Sequence, residues 1–130
     1  MNTLLFIAHF LIGFFFIYFG FSNFQQRTAI IDAMTEKGIP LAGLVFYLGI
    51  ITQTLCGLLI ILNILVLFAA SILIIFDIVA VLLFHQFWKL EGELRRLNQI
   101  IFITNLTVVL GALIILIDPV QLLLIIGIPS

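Results

Sequence analysis

Apolar residues fill four long blocks of this chain, and polar residues gather in the short stretches between them. The blocks run from Leu4 to Phe24, Leu41 to Leu62, Leu65 to Trp88 and Ile100 to Ile117. Inside them Leu, Ile and Phe follow one another without the strict alternation of a barrel strand, so each block reads as a helix. A bilayer core about 30 Å thick takes about 20 residues of helix, and the blocks meet or approach that length. The pattern predicts an all-α polytopic membrane protein, a four-transmembrane-helix bundle forming one membrane domain over residues 1–130. The first block lacks a basic start and a small-residue cleavage site, so it is expected to be retained rather than removed as a signal peptide.

The connections carry their own signals. In the first, Thr28 suits a helix N-cap, and Ile30, Ala33 and Met34 share one face. Gly38 and Pro40 then stop the helix, which predicts a short amphipathic segment at the membrane interface. The second connection is a tight uncharged turn at Asn63. In the third, Glu91 and Arg95 stand four apart and would pair on a helix. Asp118-Pro119 looks like a cap followed by proline at the first helical position. A helix over Val120 to Ile126 would be about 10 Å long, too short to span. This apolar tail, residues 118–130, is read most simply as a kinked extension of the fourth span; an interfacial segment and a partner contact are the alternatives.

Composition agrees with the pattern. Only 8% of the residues are charged, against roughly 25% in a soluble domain, so lipid is the solvent that suits this surface. All five Lys and Arg residues, Arg27, Lys37, Lys89, Arg95 and Arg96, fall in the first and third connections. The positive-inside rule then predicts a multi-pass protein of the cell (inner) membrane, with those two loops cytoplasmic and both termini outside. A net charge of -1 gives no reason to expect a nucleic-acid partner. The single cysteine, Cys56, reads as a small buried hydrophobe. No metal-ligand spacing and no catalytic motif is visible.

Polar groups within the blocks are the candidates for chemistry, because an ionisable residue at mid-membrane costs about 2.5–3.5 kcal/mol on insertion scales. Asp77 and Gln53 lie near the middles of the third and second spans, and the turn at Asn63 predicts that they approach each other. Two readings stand. They form a proton-accepting site or a head-group contact; or Asp77 is neutral and hydrogen-bonded, serving as interhelical glue, which weighs somewhat more. His9, Gly13, Phe16 and Gly20 define one face of the first span, a surface for close packing in which His9 is more readily a satisfied structural group than a ligand. Gly49, Gln53 and Gly57 mark the matching face of the second. Asn98 and Asn105 share a face of the fourth, and Thr104 and Asn105 are expected to hydrogen-bond across helices. The expected polar interhelical centre is thus Gln53, Asp77, Asn105 and His9.

The stretch "FHQFW", Phe84 to Trp88, closes the third block. Trp88 before Lys89 is the signature of an interfacial anchor. His85, one turn deeper if the helix continues, is less well explained by lipid. A quinone head group needs a hydrogen-bond donor for its carbonyl and an aromatic wall, which His85 with Phe84 and Trp88 would supply. On a continuous helix His85 and Trp88 share a face, and Asp77, eleven residues before Trp88, lies nearly in line. The candidate contact for a quinone, or for a bound lipid, is therefore His85, Trp88, Phe84 and Asp77.

The order of these pieces resembles the DoxX family of small four-span membrane proteins. The matching pieces are "FGFSNF" (Phe19 to Phe24), "GIP" (Gly38 to Pro40), "CGLLIIL" (Cys56 to Leu62), "FHQFW" (Phe84 to Trp88) and "NLTVVLGALIIL" (Asn105 to Leu116). The resemblance implies a subunit linked to quinone-dependent sulfur oxidation, or a membrane component of a redox or stress-defence assembly. It also shows departures. Asn23 stands where the family often has a lysine, and Gln53 where it often has a glutamate, so two charges are missing from the expected polar centre. Three functions follow: an accessory or anchor subunit of a larger membrane complex, a self-contained quinone-interacting redox subunit, and a small transporter. The absence of any nucleophile or cofactor fingerprint, together with the tiny loops, favours the first, with other membrane subunits or a second copy of the chain as partners.

Overall fold

Four helices long and apolar enough to cross a membrane form from the four blocks, as the pattern requires. The computed structural model describes residues 3–118, and among these residues every element is helical. The chain divides into two compact units, one ending at Leu65 and the other starting at Val66. The tail reading at Pro119 and beyond lies outside the described residues.

The first unit holds α1 (Thr3–Gln25), α2 (Arg27–Glu36) and α3 (Ala42–Ile61). The boundaries of α1 and α3 fall within one residue of the apolar blocks. α2 is the amphipathic helix that the loop pattern called for: Met34 is buried, Ile30 and Ala33 are half-buried, and Asp32 and Glu36 are exposed. Its start is one correction. Gln26, not Thr28, precedes the first helical residue, and no side chain caps it. The Gln26 amide is still bonded to the carbonyls of Ser22 and Asn23, so α1 runs almost directly into α2 and leaves no room for a separate cap.

The two exits from helix in this unit follow one scheme. At the end of α2 the Gly38 amide donates to the Thr35 carbonyl and the Ile39 amide to Met34, with Gly38 at φ +82°. At the end of α3 the Asn63 amide donates to Ile60 and the Ile64 amide to Leu59, with Asn63 at φ +58°. These are Schellman motifs, and Gly and Asn are the residues that tolerate their left-handed position. Nothing lies within 4 Å of a Cβ built on Gly38, so alanine there meets only the backbone penalty. Gly38→Ala is expected to cost about 1 kcal/mol, read as a lower midpoint in thermal unfolding.

α1 and α3 pack through the faces marked by their small residues. Leu5, His9, Gly13, Phe16 and Gly20 are buried on α1; Ala42, Phe46, Gln53, Cys56, Gly57 and Ile60 are buried on α3. Apolar side chains gain little by leaving lipid for protein, so close backbone approach must supply the attraction. A Cβ added at Gly57 would sit 2.7 Å from the Gly13 carbonyl oxygen, and one added at Gly20 would sit 2.7 Å from Thr54 Oγ1. The two backbones meet where side chains are missing.

The second unit holds α4 (Val66–Phe84), a 3₁₀ turn (Phe87–Lys89), α5 (Gly92–Thr104), a π-helical segment (Asn105–Val109) and α6 (Leu110–Ile117). The last three form one continuous rod, Gly92–Ile117, of 26 residues. The apolar block showed only the part from Ile100 onward. At 1.5 Å per residue the rod is about 39 Å long, more than the hydrocarbon core, so its polar first turns have room beyond the lipid tails. Glu91 is extended and precedes this helix, so it does not share a helical face with Arg95. The Arg95 guanidinium lies 5.8 Å from the ring centre of Phe87 instead.

Candidate functional site

α4 ends at Phe84, one residue before the histidine that the third block seemed to carry on a helix. The Gln86 side chain explains the stop. Its Nε2 donates to the Leu82 carbonyl at 3.0 Å, satisfying one of the carbonyls that a helix end leaves open. The chain then turns through Phe87–Lys89 and enters α5. The expectation of a shared helical face for His85 and Trp88 is therefore corrected, as is the continuous groove from Asp77 to Trp88. Asp77 lies eight residues before His85, about 12 Å away along the helix at 1.5 Å per residue.

What the turn builds instead is a meeting of His85 with α5. His85 Nδ1–H donates to Asn98 Oδ1 at 2.8 Å, and Asn98 Nδ2 donates to the Leu94 carbonyl at 2.9 Å. Beside this pair three rings stand edge to face. Phe87 and Trp88 are 5.4 Å apart between centroids, Phe87 and Phe102 5.4 Å, and Trp88 and Phe102 5.7 Å. Such pairs add about 0.5–1.5 kcal/mol each beyond the area they bury. The aromatic wall is thus Phe87, Trp88 and Phe102; Phe84 makes no ring contact among the described residues. Lys89, Arg95 and Arg96 are exposed nearby in sequence, and half of Trp88 remains open.

Sequence reasoning missed Asn98 as the partner of His85, and Phe87 and Phe102 as ring neighbours. The signal for Asn98 was present but needed the right helix start. With α5 beginning at Gly92, Asn98 lies in its second turn, where its Oδ1 meets His85.

Two members of the expected polar interhelical centre, His9 and Asn105, bond within their own helices. His9 is buried in α1 and donates from Nδ1 to the Leu5 carbonyl of its own helix at 2.7 Å. Asn105 donates from Nδ2 to the Ile101 carbonyl at 2.7 Å, back along its own rod, and Thr104 is exposed. A short polar side chain can always reach the carbonyl one turn back, and in lipid that local acceptor competes with any partner on another helix. Gln53 and Asp77 belong to different units, and each is buried with an oxygen that meets no donor among the described residues: Gln53 Oε1 and Asp77 Oδ2. Cys56 is buried.

Four apolar spans, short connections and a half-buried histidine–asparagine pair at the end of the third span define a small multi-pass helical membrane protein. A family model described as DoxX matches residues 4–86, well over half of the chain, and the protein belongs to the DoxX family. The matched stretch ends at Gln86, so it includes His85 and leaves Trp88, Asn98 and the whole of α5 and α6 beyond it. No curated protein and no solved structure matches the chain.

Proposed function

We propose that this DoxX protein is an accessory or anchor subunit of a larger, redox-linked complex in the cell (inner) membrane, and that it performs no reaction by itself. The observation that supports this reading is the aromatic outer face of α1. Phe10, Phe14 and Tyr18 are exposed and follow one another in a row, the first pair stacked and the second tilted, with ring centroids 6.0 Å and 6.1 Å apart, and Phe6 and Phe21 are exposed as well. Large rigid rings give contact area at small entropic cost and are enriched where proteins meet. The test is purification of the tagged protein from its native membrane in mild detergent, followed by mass spectrometry. Stoichiometric recovery with a larger membrane complex supports the reading. Recovery of the chain alone, with its aromatic face covered by lipid, refutes it.

A second reading is favoured by a specific observation, the His85–Asn98 bond beside the rings of Phe87, Trp88 and Phe102. There the subunit contacts a quinone head group, with Trp88 and Lys89 at the water interface. A quinone co-purifying in wild type and lost in His85→Ala supports it; equal quinone content in both refutes it.

The orientation follows from charge. With all five Lys and Arg residues in the first and third connections, those loops face the cytoplasm and the termini face outward. A reporter fused after Ser130 is expected to be active only outside the cytoplasm, and activity inside reverses the topology.

A further inference from the structure

We propose that Asn98 is a positioning residue that holds His85 as a hydrogen-bond acceptor, so that the cluster binds the reduced, hydroxyl-bearing form of a quinone in preference to the oxidised form. The proposal rests on the second reading above and gives it a direction.

The argument begins with the amide of Asn98. Its Nδ2 donates to the Leu94 carbonyl at 2.9 Å. The opposite placement of the amide would set two oxygens against each other at that distance, so the backbone decides which atom is which. Oδ1 is therefore the atom that faces the imidazole, 2.8 Å from His85 Nδ1. An oxygen without a proton requires a proton on the nitrogen that meets it. Neutral imidazole carries one proton, so a protonated Nδ1 leaves Nε2 with a lone pair. Asn98 is itself half-buried and anchored in the first turns of a 26-residue rod, so it does not readily turn away.

This overturns the role expected of His85 from sequence. A quinone carbonyl oxygen offers only lone pairs, and it needs a donor. Nε2 of the neutral ring is an acceptor, and two acceptors facing each other repel. A hydroquinone hydroxyl supplies the missing proton and bonds to Nε2, while its ring takes its place beside Phe87, Trp88 and Phe102. Selectivity of this kind arises because the wrong partner sets two acceptors against each other at a half-buried site.

The test uses the full chain in detergent with ¹⁵N-labelled histidine, His85 being assigned by its loss in His85→Gln. Nitrogen chemical shifts report which ring nitrogen carries the proton, whether or not anything is bound. The probes are duroquinol and duroquinone, titrated separately. The wild type is expected to show protonated Nδ1 and bare Nε2, and to bind duroquinol about tenfold or more tightly than duroquinone, the scale of one hydrogen bond gained or opposed. Asn98→Leu is expected to mix the two tautomers and abolish the preference. Protonated Nε2 in the wild type overturns the proposal outright. Equal binding of the two probes, or tighter binding of duroquinone, overturns it while leaving quinone contact standing. Binding of neither probe, with the expected tautomer present, overturns the quinone reading itself and the ligand proposed here with it.

Discussion

Gly57→Val is expected to break the α1–α3 pairing. The first atom of any side chain at position 57 would lie 2.7 Å from the Gly13 carbonyl oxygen, with Ile17 Cγ1 at 3.1 Å and Phe16 Cβ at 3.3 Å. The nearest obstacle is backbone, which cannot turn aside as a flexible side chain does. The helices must separate, and separation forfeits the dispersion contacts that hold them together in lipid. Overpacking in a tight core costs about 1–3 kcal/mol, and two further carbons beyond Cβ put valine at the upper end or above it. Gly43 is the internal control, since nothing lies within 4 Å of its added Cβ. Gly43→Ala is expected to be neutral or to gain up to about 1 kcal/mol in helix propensity. Unfolding by sodium dodecyl sulfate from a mild detergent measures both. A Gly57→Val protein as stable as Gly43→Ala would show that the two backbones are not in contact.

Asp77→Leu is expected to act in the opposite direction and to make the protein more stable. Asp77 is only 5% exposed, and its Oδ2 meets no hydrogen-bond donor among the described residues. A buried polar atom without a partner costs about 1–3 kcal/mol, and leucine of similar length removes that cost while keeping the volume filled. The expected gain is of the same order, about 1–3 kcal/mol, read in the same detergent titration. Gln53→Leu is expected to follow in the first unit, where Gln53 Oε1 is likewise without a donor. A loss of stability in Asp77→Leu would mean that the carboxyl is satisfied by a group it meets in the intact membrane. A gain accompanied by loss of function in vivo would mark Asp77 as a side chain kept for its chemistry at the expense of the fold.

The spans were legible because lipid imposes one demand on every residue that crosses it, and a continuous apolar block is the direct answer to that demand. The α1 packing face was legible for a related reason: His9, Gly13, Phe16 and Gly20 repeat at helical spacing, and all four are buried. The ends of helices were harder. Gln86 stops α4 with a side-chain bond to Leu82, and no hydropathy pattern encodes such a bond. The start of α5 was hidden because its first two turns are polar, so the helix outruns the apolar block that announced it. Both errors fell on the same place. The candidate site was recognised through "FHQFW", but its geometry depends on a break after Phe84 and on an asparagine thirteen residues beyond His85.

Asn105–Val109 winds as π-helix between α5 and α6. Each turn of that form holds more residues than an α turn, so the segment stores surplus chain within an otherwise regular rod. Removing one residue from this segment lets it close as ordinary α-helix while the sides presented before Asn105 and after Val109 keep their alignment. The fourth span is therefore the part of this molecule that tolerates a change in its own length, and a shortened variant would retain the bond between Asn98 and His85 at one end and the buried Leu113 and Leu116 at the other.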